Sequence, residues 1–173
     1  AEFVAGPARW ATPVQADIPD EILALSEPVA CVVRAARKAG VTFGQSVVIF
    51  GAGPVGNLHV QMMRLAGAAP IIVADLSADR CRMALEAGAD AAVAVPEELK
   101  ETVLRMTGGR GADLVIESVG NRRLYERAFD LTRRGGHVAF FGITPPGETV
   151  PVDILRTVLE EGSLKGSVAG MGQ

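Results

Sequence analysis

The 173-residue chain carries only two cysteines, no surplus of basic charge and no long apolar run. Cys31 and Cys81 stand in unrelated contexts, which excludes a disulfide-stapled mini-protein and points to reduced thiols in a cytoplasmic protein. Seventeen Lys and Arg stand against twenty Asp and Glu, and the sequence pI is about 5.4. A nucleic-acid binder would show the opposite balance, so no nucleic-acid partner is expected. No apolar stretch reaches the ~18 residues that span a bilayer, so no membrane segment is expected. No basic-then-apolar leader stands at residues 1–20, so no secretion signal is expected there. Low-complexity segments and internal repeats are also absent, and with 49% apolar residues the composition is that of a globular chain.

What is present is an alternation. The length supports one domain, or one domain with a fragment of a second. Residues 1–20 read as irregular or short-strand structure broken by Pro7, Pro13 and Pro19. Apolar positions from Ile22 to Ala36 suit a helix stopped by Gly40, with Pro28 at a joint or first turn. Short apolar, strand-like runs then follow at 46–50, 71–74, 91–95, 114–117, 137–141 and 164–168. Helical spacing separates them at 55–65, 78–87, 97–106, 122–133 and 152–161. Strands spaced by helices imply βαβ units and a parallel sheet covered on both faces. The expected fold is α/β: a doubly wound, six-stranded Rossmann sheet in the order 3-2-1-4-5-6.

The sharpest motif is Gly51-Ala52-Gly53-Pro54-Val55-Gly56, between a strand and a helix. A G-x-G-x-x-G string alone is weak, but this strand–turn–helix setting makes it informative. Gly51 allows the tight turn, Gly53 lets a pyrophosphate approach the backbone, and Gly56 lets the helix lie close on the strand. Amide N–H groups and the helix dipole then attract phosphate without Lys or Arg. Pro54 is tolerated at the helix start, where its missing N–H costs no helical bond. The competing reading is a glycine-rich turn with no ligand.

Asp75 ends the second strand, 19 residues after Gly56, followed by Leu76. That is where an acid accepts the adenosine ribose hydroxyls and repels a 2′-phosphate, so NAD is expected over NADP. Alternatively Asp75 caps the turn Asp-Leu-Ser. Arg80 lies beside the adenosine, or is a solvated helix charge, or reaches a 2′-phosphate and admits NADP. Across the crevice, small residues end the fourth and fifth strands. Position places Ser118, Val119, Gly142 and Ile143 near the ribose and nicotinamide, although ordinary turn glycine explains part of the pattern.

The loop GAGPVG, together with IIVADLSADR, EAGAD, TGGRGADLVIESVG and RRGGHVAFFG, resembles the zinc-type medium-chain alcohol and polyol dehydrogenases, with sorbitol and threonine dehydrogenases the nearest in flavour. The resemblance runs across nearly the whole chain. It implies that residues 1–25 are a remnant of a catalytic domain and its linker, and that 26–173 form the NAD-binding domain. It implies a hydride transfer between NAD(H) and a small-molecule alcohol or polyol, or its carbonyl product. It places Glu27, in Ser26-Glu27-Pro28, at the catalytic zinc, with Cys31 one helical turn on; a helix-start carboxylate favoured by the dipole is the competing account. It places Ser167 and Ala169 of the last strand at the nicotinamide, and that strand at a two-fold homodimer edge.

Zinc needs three or four protein ligands, and the remaining candidates Cys81, His59 and His137 read as packing or surface residues. Zinc is therefore expected in the full-length parent and not in this chain, and no residue here is expected to be catalytic. Arg122-Arg123 and Arg133-Arg134 read as solvated charge. Two readings compete: a zinc-free quinone or enoyl-type reductase, and a non-catalytic dinucleotide-binding module.

Overall fold

The computed structural model describes residues 5–14 and 17–168. Its centre is a six-stranded parallel sheet: β1 (Val47–Phe50), β2 (Ile71–Ala74), β3 (Ala91–Val93), β4 (Ala112–Glu117), β5 (Thr132–Phe140) and β6 (Ser163–Gly166). The spatial order is β3-β2-β1-β4-β5-β6. Every pairing is parallel. Because helices cover both faces, the central strands are apolar on successive residues, and all four residues of β1 are buried.

Strand alternation sends those side chains into two cores. Val47, Ile49, Ile71, Val73, Leu114 and Ile116 face α2 (Ser26–Ala39), α3 (Pro54–Leu65) and α4 (Ala78–Glu86), through Ala39, Val60, Met63 and Ala84. Val48, Phe50, Ile72 and Val115 face α5 (Leu99–Met106) and α6 (Arg122–Leu131), through Leu99, Val103, Ala128 and Leu131. The last helix, α7 (Ile154–Leu159), is pinned to α6 by Arg156, which donates to Asp130 and the Phe129 carbonyl, both at 3.0 Å.

The helix expected from Asp20 is two pieces. A four-residue α1 (Asp20–Leu23) precedes α2, and Pro28 sits in the first turn of α2, where its missing N–H is harmless. Gly40 ends α2 in the left-handed conformation, as expected. β5 starts five residues earlier than its apolar pattern indicates. The segment Arg133–Gly136 bulges between the pairs Ala112↔Thr132 and Leu114↔His137, and Gly136 fits there because a Cβ would meet the Ala112 carbonyl at 2.9 Å.

Candidate functional site

The strands β1 and β4 are neighbours in the sheet, but their following helices lie on opposite faces, so a crevice opens at their carboxyl ends. A cleft of about 910 Å³ lies there, within the range of small-molecule sites. Gly51, Gly53, Pro54, Val55 and Gly56 line one wall. Asp75, Leu76 and Arg80 line the end beside β2, and Ser118 and Val119 line the opposite wall.

Each loop glycine has its own reason. Gly51 has φ +98°, and a Cβ there would lie 2.9 Å from Val119 Cγ2 and 3.1 Å from the Ser118 hydroxyl. A Cβ on Gly56 would fall on the Gly51 carbonyl, so α3 can approach β1 only with glycine there. A Cβ on Gly53 would meet nothing within 4 Å. Among the described residues no atom fills the space in front of Gly53, and the loop leads straight into α3, where the Gly53, Val55 and Gly56 N–H groups have no helical acceptor and Pro54 carries none. A diphosphate fits this space and those donors.

Asp75 points into the cleft with its side chain 11% exposed. Its Oδ2 accepts the Ala52 N–H at 2.8 Å and its Oδ1 accepts the Ser77 N–H at 2.9 Å. Arg80 Nη1 stands 3.8 Å from Oδ2. The turn-capping role therefore coexists with a place in the cleft, and the two readings of Asp75 do not exclude one another. Leu76, 81% exposed, and Val119, 52% exposed, add apolar surface to the cleft lining.

Ser118 donates its hydroxyl to the Phe50 carbonyl at 2.6 Å, which ties the β4 turn to β1. Gly142, Ile143 and Ser167 are outside the cleft lining. Gly142 packs its backbone against Gly120 and accepts the Tyr125 hydroxyl at 2.5 Å, while Ile143 projects into solvent. Ser167 bonds the Phe140 carbonyl through its N–H at 2.9 Å, and its buried hydroxyl has no partner among the described residues. Ala169 and the opening Ala1–Val4 stretch lie outside the described residues.

Two features escape the sequence reading. Glu117 is fully buried and accepts N–H groups from Val119 and Gly120 at 3.0–3.1 Å, so this carboxylate shapes the whole turn after β4. Its signal is an acid closing an otherwise apolar strand. Burial, then the nearby Glu117 charge, pushes the Tyr125 phenol well above its ordinary range, so it stays a hydrogen-bond donor. Arg123, which is exposed, and Arg127, one helical turn on along α6, also line the cleft. Arg127 is anchored on the Pro96 carbonyl at 2.7 Å.

The zinc fit is different. Glu27 Oε1 accepts the Cys31 thiol at 3.0 Å, and no group of three His, Cys, Asp or Glu that could hold a metal occurs among the described residues. These residues do not make a zinc site by themselves.

Residues 54–173 match the zinc-binding dehydrogenase family. The chain belongs to that family. It is 32% identical over 156 residues to human sorbitol dehydrogenase, covering 86% of this chain and 43% of that protein. It is 33% identical over 167 residues to L-threonine 3-dehydrogenase of Anaeromyxobacter dehalogenans, covering 96% and 48%. A zinc-binding dehydrogenase structure from Sinorhizobium meliloti, bound to NADP, superposes with a TM-score of 0.77 at 32% identity, covering 84% of this chain and 44% of that one. The chain spans about half the length of these curated relatives. Among the described residues, no helix of this family member is long and apolar enough to cross a membrane.

Proposed function

We propose that this chain is the NAD(H)-binding half of a zinc-dependent dehydrogenase that moves a hydride between a small alcohol or polyol and its carbonyl product. The observation that carries the reading is the bare space before Gly53, facing unbonded helix-start amides, with Asp75 in the same cleft. The glycine loop and the start of α3 hold the diphosphate. Asp75 takes the adenosine ribose hydroxyls, with Leu76 beside the adenine, and Val119 stands against Gly51 on the ribose and nicotinamide side. Ser118, Gly142, Ile143, Ser167 and Ala169 are assigned to the nicotinamide side. Hydride chemistry at the nicotinamide C4 comes from the cofactor; this chain binds and orients it. Residues 1–25 lead in from a zinc-binding half that supplies the metal ligands, with Glu27 the one contact offered from this chain. The edge strand β6 pairs with its copy in a homodimer. A cytoplasmic setting agrees with Cys31 and Cys81, which form no disulfide.

A second reading, NADP acceptance, is favoured by Arg80 and Arg123 lining the cleft and by the NADP carried by the Sinorhizobium neighbour. Titration of the chain with NADH and NADPH, followed by nucleotide fluorescence, separates them. The expected result is saturable NADH binding, at least tenfold weaker NADPH binding, and no alcohol oxidation by the chain alone. Tighter NADPH binding refutes the NAD assignment. Absence of binding by either nucleotide refutes the cleft.

A further inference from the structure

Asp75 does more in this structure than wait for a ribose. The β1–β2 ladder ends at the pair Phe50↔Ala74. One more backbone bond, Gly51 N–H to the Ala74 carbonyl at 2.8 Å, closes that end. Beyond it the ladder continues through a side chain: the Ala52 N–H donates to Asp75 Oδ2 at 2.8 Å. Ala52 is buried, and a buried N–H needs a partner. Its carbonyl is held from the other side by Asn57 Nδ2 at 3.2 Å. The residue at the centre of the glycine loop is thus clamped at both backbone groups, one clamp being a carboxylate carried on β2.

We propose that Asp75 is a positioning residue for the diphosphate as well as an acceptor for the ribose. Its carboxylate holds Ala52, and through it the Gly51–Gly53 cradle, in the binding conformation before any nucleotide enters. This rests on the dinucleotide reading above. The lone-pair count permits both tasks. A carboxylate offers about four acceptor sites, and the Ala52 and Ser77 amides occupy one on each oxygen. Two remain for a vicinal diol. A consequence for specificity follows: exchanging Asp75 for a small residue to admit a 2′-phosphate releases the cradle too, so both cofactors lose affinity.

The test uses Asp75→Ser, with Asp75→Asn as the second variant if the first does not fold. ADP and 2′,3′-dideoxy-ADP are titrated calorimetrically, because the dideoxy nucleotide keeps the diphosphate and lacks the hydroxyls. Positioning predicts that Asp75→Ser binds dideoxy-ADP about tenfold more weakly than the native chain, the scale of one lost charged hydrogen bond, and that Asp75→Asn, which keeps one acceptor oxygen, loses less. Equal dideoxy-ADP affinity in native and variant chains overturns the proposal. Amide exchange in the nucleotide-free chain is the independent readout. Exchange at Ala52 rises at least tenfold in Asp75→Ser and to an intermediate extent in Asp75→Asn, while Val48 in the core is unchanged. Unaltered exchange at Ala52 also overturns it. If the native chain binds neither nucleotide, the dinucleotide reading fails, and the exchange data alone decide whether Asp75 holds the loop.

Discussion

Acidification puts a specific load on α3. His59, in the second turn of that helix, is fully buried. Its ring stands edge-on to Phe141 with centroids 4.7 Å apart, and neither ring nitrogen has a hydrogen-bond partner among the described residues. Burial alone lowers its pKa to about 4, against about 6.5 in an unfolded chain. The folded state therefore resists a proton that the unfolded state accepts. Above pH 6.5 both states are neutral at this site and nothing is lost. Between pH 6.5 and 4 the unfolded state binds one proton more, and stability falls with decreasing pH by about 1.4 kcal/mol per pH unit, roughly 3 kcal/mol in total. Below pH 4 this contribution levels off, because both states are then protonated. His137, also lowered by burial and then by Lys165, adds to the same slope, so the measurement must be a difference. Urea unfolding followed by circular dichroism at pH 7, 6, 5 and 4.5, for the native chain and for His59→Leu, isolates the one imidazole. At pH 7 the variant is expected to be neutral to about 1 kcal/mol more stable, since an unpaired polar ring gives way to an apolar side chain. At pH 4.5 it is expected to lead by about 2.5–3.5 kcal/mol. Parallel pH profiles for the two chains, or an imidazole titrating near 6.5 by NMR, refute the account.

Two further expectations follow from the same packing. Gly53→Ala and Gly56→Ala act oppositely: the first keeps the thermal midpoint and weakens NADH binding at least tenfold by filling the cradle, whereas the second drives a Cβ into the Gly51 carbonyl and costs about 1–3 kcal/mol of stability in thermal melts. Equal melting loss in both refutes the division of labour. Asp113 accepts the Ser46 N–H at 2.8 Å and hydroxyl at 2.6 Å, and Arg133 Nε on its other oxygen. Burial raises its pKa, but the Ser46 bonds and then Arg133 outweigh that and hold the net value below the usual carboxylate range. Its stabilisation is present above the unfolded pKa and is lost as pH falls through the lower folded value. Asp113→Ala should cost about 3 kcal/mol in urea unfolding at pH 7 and remove the acid-dependent part below pH 4; a cost under about 0.5 kcal/mol, typical of an exposed pair, contradicts it.

What could be read along the chain is what neighbours in sequence decide. The six strands follow from apolar runs bounded by helical spacing, and their order follows from the handedness of βαβ connections, which leaves few topologies. Gly51 to Gly56 is equally local, because one strand–turn–helix needs all three glycines and contains them. The unread part depends on chain segments far apart. Gly135-Gly136 looks like a break before a strand, yet in the sheet it is the bulge that lets β5 begin at Thr132, because Gly111 and Ala112 supply the facing backbone. Arg123 looks solvated on its own helix, and becomes a cleft residue only when α6 is set opposite the glycine loop. Asp75 shows both halves at once. Its spacing from Gly56 suggests a ribose acceptor, but its grip on Ala52, 23 positions away, exists only because β1 and β2 lie side by side. If Asp75 takes the ribose as proposed, that grip and the sugar contact use different lone pairs of one carboxylate. Loss of that acid is then expected to disturb the phosphate cradle along with the sugar preference.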